Sequence, residues 1–167
     1  CVLCAKTTDY LTDMFAAGVL TEDQANGAAG VLRVLNDQGR IGTQCKEIAQ
    51  CLSGNFSKAA TKDLEEVTGI IEKMYDAAFE IVAQGDRSRA REVFSAKSDA
   101  LDLDIKMRKA HMKRVAKGTC EPEAKGPFDE VLNGLDRIGN SCVNMAEAVA
   151  VGQVDLGRFT LPEDERA

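Results

Sequence analysis

The sequence predicts an all-α protein of antiparallel helical bundles, with one complete three-helix bundle and two helices of a second. Three observations carry this expectation. Apolar residues recur at steps of three or four along most of the chain, and nowhere with the period of two that strands require. The composition points the same way: no Trp, three Pro and 5% aromatic residues in a chain that is 44% apolar. Finally, one stretch occurs twice. Residues 35–50 and 132–147 agree without a gap at seven of sixteen positions (Leu, Asn, Arg, Ile, Gly, Cys, Ala), at a constant offset of 97. Ungapped agreement over that length points to duplication of a supersecondary unit. The chain then divides into 1–54 as the C-terminal part of a first repeat, 55–152 as a second repeat, and 153–167 as a tail.

Residues 2–16, with Leu3, Tyr10, Leu11, Met14 and Phe15, form a short amphipathic first helix that ends at Gly18. Thr21-Glu22-Asp23-Gln24 is a capping box, because the Thr hydroxyl can accept from the amide three residues on while Gln24 reaches back. It opens a second helix over 22–52 carrying Val31, Leu35, Ile41, Cys45, Ile48 and Leu52, with Gln38 in the one polar slot and Ser53-Gly54 as its close. The third helix covers 57–84, with Leu64, Val67, Ile71, Met74, Ala78 and Ile81 on one face. Gly85-Asp86 breaks it, and Asp86 can cap the next helix. The fourth spans 87–117, with Phe94, Leu101, Ile105, Met112 and Val115 as its expected apolar stripe. Gly118 to Pro122 ends it. A fifth helix over 126–150 buries Phe128, Val131, Leu132, Leu135, Ile138, Cys142, Met145 and Val149. The tail, acidic from Pro162 to Arg166, has no sustained period and reads as partly docked and fraying.

The net charge of −6 makes nucleic acid an unexpected partner. No apolar run approaches the ~18–20 residues that span a bilayer, and no signal peptide is visible. A chain that begins at Cys1, without Met and already in helical pattern, reads as a piece of a longer protein. Cys1-Val2-Leu3-Cys4 has metal-ligand spacing, but neither a second such pair nor a His pair completes a zinc site. Cys45 and Cys142 hold equivalent repeat positions and read as small hydrophobes in a reducing cytosolic setting. His111, the lone His, reads as a surface residue. The sequence holds no P-loop, no Gly-x-Gly-x-x-Gly and no nucleophile elbow, so no enzyme is expected.

Leu135-Asp136-Arg137-Ile138-Gly139-Asn140, followed by Asn144-Met145-Ala146-Glu147, resembles the signature of the PhoU family. The earlier copy keeps Arg40-Ile41-Gly42 and Ile48-Ala49, and departs at Gln38, Gly39, Thr43, Glu47 and Gln50. The resemblance implies a non-catalytic regulator of phosphate transport, either stand-alone or, as the run from Tyr10 to Glu22 suggests, a cytoplasmic domain of a sodium/phosphate cotransporter-type protein. Its implied partner is the transmembrane transport domain of the same protein, which would tether it to the inner face of the membrane.

In that family an acid-x-x-x-acid pair on one helical face can hold metal ions. Here the corresponding pairs are Asp136/Asn140 and Gly39/Thr43, a degraded ligand set, so no cofactor is expected and a weakly held metal ion is the alternative. Glu72-x-x-x-Asp76 has the same spacing. The expected interaction surface is Asp136, Arg137, Asn140, Asn144 and Glu147 with Arg40, Thr43 and Glu47. Lys106, Lys109, Lys113, Arg114 and Lys117 share an arc of about 140° opposite the apolar stripe, a basic face suited to a membrane surface. Both glycines of the repeat, Gly42 and Gly139, read as sites of close helix approach, and unfilled apolar faces on the first two helices suit a homodimer.

Overall fold

A computed structural model describes residues 2–52 and 55–154. They form α1 (Val2–Ala16), α2 (Glu22–Cys51), α3 (Lys58–Gln84), α4 (Ala90–Ala116) and α5 (Lys125–Ala150). No strand occurs among the described residues. Cys1, the close of the second helix at Ser53-Gly54, and the tail from residue 155 lie outside them.

The ends of the helices are set by local chemistry that the sequence carries. Thr21 Oγ1 accepts from Gln24 N at 3.3 Å while Gln24 Oε1 accepts from Thr21 N at 3.0 Å, so both halves of the capping box form. Ser57 caps α3 through Ala60 N at 3.3 Å, and Gly85 closes it in the left-handed conformation at φ 68°. Asp86 then caps a single 3-10 turn, Arg87–Arg89, through Ser88 N at 3.0 Å before α4 begins.

α3, α4 and α5 pack against one another as a three-helix bundle, α2 lies along α5, and α1 folds back on α2 with no buried residue. α5 is the centre of the molecule. Thirteen of its 26 residues are buried, among them all eight expected from its apolar periodicity. A helix covered on three sides must be apolar around much of its circumference.

The two copies of the repeated segment cross each other. Arg33 meets Glu147 at 3.3 Å, Asp37 meets Asn144 at 3.2 Å, and Glu47 meets Arg137 at 3.9 Å, so α2 and α5 run antiparallel. The centre of this pairing falls near Gly42 and Gly139, equivalent positions in the duplication, which makes the seam a local pseudo-two-fold.

The glycines that permit the close approach are not the expected pair. A Cβ on Gly134 would stand 2.6 Å from Ile48 Cγ1, and one on Gly30 would overlap the carbonyl of Gln153. Gly42 is exposed with nothing within 4 Å, whereas Gly139 is buried at a close approach of α3 and α4, where a Cβ would stand 3.3 Å from Ile71 Cδ1 and from Lys97 Cδ and Nζ. Repeat position and packing role therefore separate, because helix α5 has neighbours that α2 lacks.

α4 is rotated from the expected orientation. Its buried face is Ala90, Val93, Ala100, Met107 and His111, whereas Phe94, Leu101, Ile105 and Met112 are 38–49% exposed. Small alanines let the helix approach its neighbours closely, and cations at both edges of the buried face lock the rotation. Lys97 pairs with Asp136, Arg108 bridges Asp104 at 2.8 Å and Asp129 at 3.1 Å, and Arg114 pairs with Asp63.

His111 is a core residue, 1% exposed, with its ring stacked on Phe128 at 4.1 Å between centroids and 7° between planes. The expectation of a surface His fails because it followed the misplaced stripe. Neither ring nitrogen has a hydrogen-bond partner among the described residues. Burial, reinforced by the nearby Arg114 cation, lowers its proton affinity, against smaller opposing pulls from Asp129 and Asp63. The unfolded chain therefore binds more protons than the fold below the ordinary value of 6.5. Stability is complete above that pH and falls as the pH drops from there toward the depressed folded value. Urea unfolding at pH 7.5 and pH 5 should show this loss in the wild type, and His111→Leu should largely remove it. An equal loss in the variant would place the acid sensitivity elsewhere.

Candidate functional site

The expected interaction residues gather on one side of the α2–α5 seam, with two exceptions. Arg40, Thr43 and Glu47 of α2 and Arg137, Asn140 and Glu147 of α5 are exposed, and the Glu47–Arg137 and Arg33–Glu147 pairs join the two copies into one face of alternating charge. Asn144 is half-buried and donates to Asp37, itself 2% exposed, which also accepts from Arg40 at 3.4 Å. It holds the seam together and is not part of the outer strip. A polar group buried at a helix crossing has to be satisfied there, which turns a would-be surface Asn inward. Asp136 is half-exposed, and its carboxylate is already engaged, by Lys97 on one oxygen and by Asn140 Nδ2 at 3.1 Å on the other.

That engagement matters for metal binding. The ammonium of Lys97 sits where a cation bound to Asp136 would sit, and Asn140 brings its amide nitrogen, a donor, toward the carboxylate. No group of three or more His, Cys, Asp and Glu converges among the described residues. Burial, with the Asp37 carboxylate nearby, pushes the Cys142 thiol up to about 12, so it stays protonated and unreactive. Cys142 is thus the small hydrophobe expected. Its counterpart Cys45 is exposed, because none of the described helices covers that side of α2.

Sequence reasoning did not place a groove of about 1020 Å³ between α2 and α3 floored by α5. Cys45, Ile48 and Leu52 form one wall, Leu64 and Tyr75 the other, and Leu135 lies at the base. The α3 lip is acidic: Glu65, Glu72 and Asp76 line it, exposed and without an ion-pair partner among the described residues. Tyr75 reaches across α3 to donate to Gln38 Oε1 at 3.1 Å, so the polar slot of α2 serves as a tie between α2 and α3. The sequence carried one usable signal, the two apolar positions Cys45 and Leu52 for which no partner helix could be named. An apolar cleft edged with charge suits an amphipathic segment of another polypeptide better than a small polar substrate.

The basic face survives in part. Lys106, Lys109, Lys113 and Lys117 are exposed. Arg114 leaves it, because at the α3–α4 boundary its guanidinium finds Asp63 and becomes part of the packing. None of the described helices is long and apolar enough to cross a membrane.

Comparison with family models finds the PhoU domain over residues 64–149, which covers most of α3, all of α4 and nearly all of α5, 86 of the 167 residues. Comparisons with curated proteins and with solved structures returned no match.

Proposed function

This chain belongs to the PhoU domain family, and on that footing we propose that it is a non-catalytic regulatory and interaction domain of phosphate transport. It works at the cytoplasmic face of the membrane, tethered there as part of a sodium/phosphate cotransporter-type protein, and its partner is the transport domain of that protein. The observation that carries this reading is the groove between α2 and α3. Its volume and apolar lining suit a helical segment of another polypeptide, and its acidic lip supplies direction. The charged face across the α2–α5 seam is a second contact, and no metal ion is required at Asp136.

Regulation arises from differential contact. A groove that holds a transporter segment in one transport state and releases it in another shifts the balance between those states by the difference in affinity. The test uses cells of the source organism in which the coding sequence is disrupted. Phosphate uptake should escape control by external phosphate and return to control with the wild-type gene. Cys45→Arg with Leu52→Glu, two exposed groove positions, should leave the melting temperature within a few degrees and fail to restore control. Unaltered uptake on disruption would sink the phosphate reading, and normal control by the groove variant would sink the groove as its contact.

A further inference from the structure

The rotation of α4 creates a surface that composition alone would not reveal. At about 100° per residue, Phe94, Leu101, Ile105 and Met112 fall within roughly 40° of one another, a straight apolar ribbon along the outer edge of the bundle. All four are substantially exposed. Lys109 lies about 60° from that ribbon, with Lys106, Lys113 and Lys117 beyond it, so the lysines run parallel to the apolar residues on the same outward side. From Ile105 to Lys117 the chain holds no acidic residue. Its two arginines are committed inward, Arg108 to Asp104 and Asp129, and Arg114 to Asp63. The four lysines have no ion-pair partner among the described residues. Asp99 and Asp102 share the outward side one to two turns earlier, which confines the cationic patch to the C-terminal half of α4.

We propose that this half of α4 is a docking surface for an anionic lipid bilayer. Ile105 and Met112 would enter the boundary between headgroups and acyl chains, while the lysines reach the lipid phosphates. Three features favour a membrane over an acidic protein. The surface is the convex outer side of a single helix. Its apolar and cationic ribbons keep one straight course, as a planar partner requires. Its lysines are flexible, strongly hydrated charges rather than the rigid forks of arginine that pick out a carboxylate at a protein interface. The rest of the chain is acidic enough to bring the total to −6, so an anionic surface would also orient the molecule with α4 toward it. This inference does not depend on the identity of any transporter, because it requires only the outer face of α4.

The experiment is co-sedimentation of the purified chain with vesicles of phosphatidylcholine alone or with 30 mol% phosphatidylglycerol, about the level at which a cluster of lysines responds to surface charge. The chain should bind the anionic vesicles at least about tenfold better than the neutral ones, and should lose most of that binding between about 0.1 and 0.5 M salt. Lys106→Glu with Lys109→Glu and Lys113→Glu should abolish binding. Ile105→Ser with Met112→Ser, at positions already exposed, should weaken it several-fold, with the helical circular dichroism of both variants unchanged. Equal partition onto the two vesicle types, no sedimentation with either, or undiminished binding by the lysine variant would overturn the proposal. So would binding to an acidic polypeptide such as polyglutamate without binding to the anionic vesicles, since that would mark a protein-docking face. Failure here leaves the phosphate-uptake test untouched, because that test reads uptake and its variant changes only the groove positions Cys45 and Leu52.

Discussion

Replacing Phe128 by alanine is expected to cost ~3–5 kcal/mol of stability and to lower the melting temperature by about 10 °C or more. The ring is fully buried, stacks on His111, and meets Phe56 edge-on at 6.4 Å between centroids. It therefore joins α4, α5 and the segment before α3, and none of the three can move into the space without breaking its own packing. The matching control is Phe94→Ala. The same chemical deletion, at a position 38% exposed, should cost less than about 1 kcal/mol. Thermal unfolding followed by circular dichroism separates the two. Comparable losses would mean that α4 sits with Phe94 inward, as its apolar periodicity alone suggests.

The second large effect has opposite signs at two glycines of the α2–α5 pair. Mid-helix, Gly→Ala ordinarily gains up to about 1 kcal/mol through backbone entropy. Gly42→Ala should show that gain, since its added methyl meets nothing within 4 Å. Gly134→Ala should instead destabilise by ~1–3 kcal/mol, because its methyl would fall 2.6 Å from Ile48 Cγ1 and 2.9 Å from Cδ1, and Cγ1, bonded directly to the β-carbon, can move away only if the stiff β-branched side chain leaves its rotamer or the helix shifts. Shortening the neighbour should rescue it, so Gly134→Ala should cost less on an Ile48→Ala background than on the wild type. Denaturant unfolding of the four variants gives the coupling directly. Two glycines that respond alike would remove the close approach on which the seam depends.

Those two experiments also divide what could be read in the sequence from what could not. The helix ends were legible because their causes are local: Thr21 with Gln24, Ser57, and Gly85 each act within four residues. The buried side of α5 was legible because three neighbours demand a broad apolar face, and a broad face outvotes any single exception. α4 was not. Phe94, Leu101, Ile105 and Met112 point outward, and its true inner face is built from Ala90, Val93, Ala100 and His111 with Met107 as its one large apolar member, so a reading weighted by size chooses the wrong side. The signal that could have corrected it lay in charge. Lys97, Arg108 and Arg114 flank the buried face and each has an acid facing it from another helix, but those partners are distant in sequence. His111 and Arg114 were misplaced for that reason alone.

The duplication told much about the candidate surface and misled at specific points. It put Glu47 and Arg137 on the two copies, and the fold sets them 3.9 Å apart across the seam. It gave equal roles to residues whose surroundings differ, so that Cys142 is sealed while Cys45 is open, and Gly139 is packed while Gly42 is bare. The groove was legible on one side only, because the unfilled apolar positions Cys45 and Leu52 mark its α2 wall while nothing local tells that α3 supplies the facing one. Asn144 shows the converse: its place in the signature suggested solvent, and the buried carboxylate of Asp37, 107 positions away, draws it inward.

The proposed regulatory contacts depend on α2 lying antiparallel along α5, since that seam creates both the charged face and one wall of the groove. Methyl-resolved nuclear Overhauser spectroscopy on the purified chain tests it most directly. A strong cross-peak should join the Ile48 δ1 methyl to the α-protons of Gly134, accompanied by one between the side-chain amide of Asn144 and protons of the Asp37 side chain. Absence of both, with the Phe128–His111 cross-peaks that join α5 to α4 intact, would detach α2 from the bundle and contradict the account.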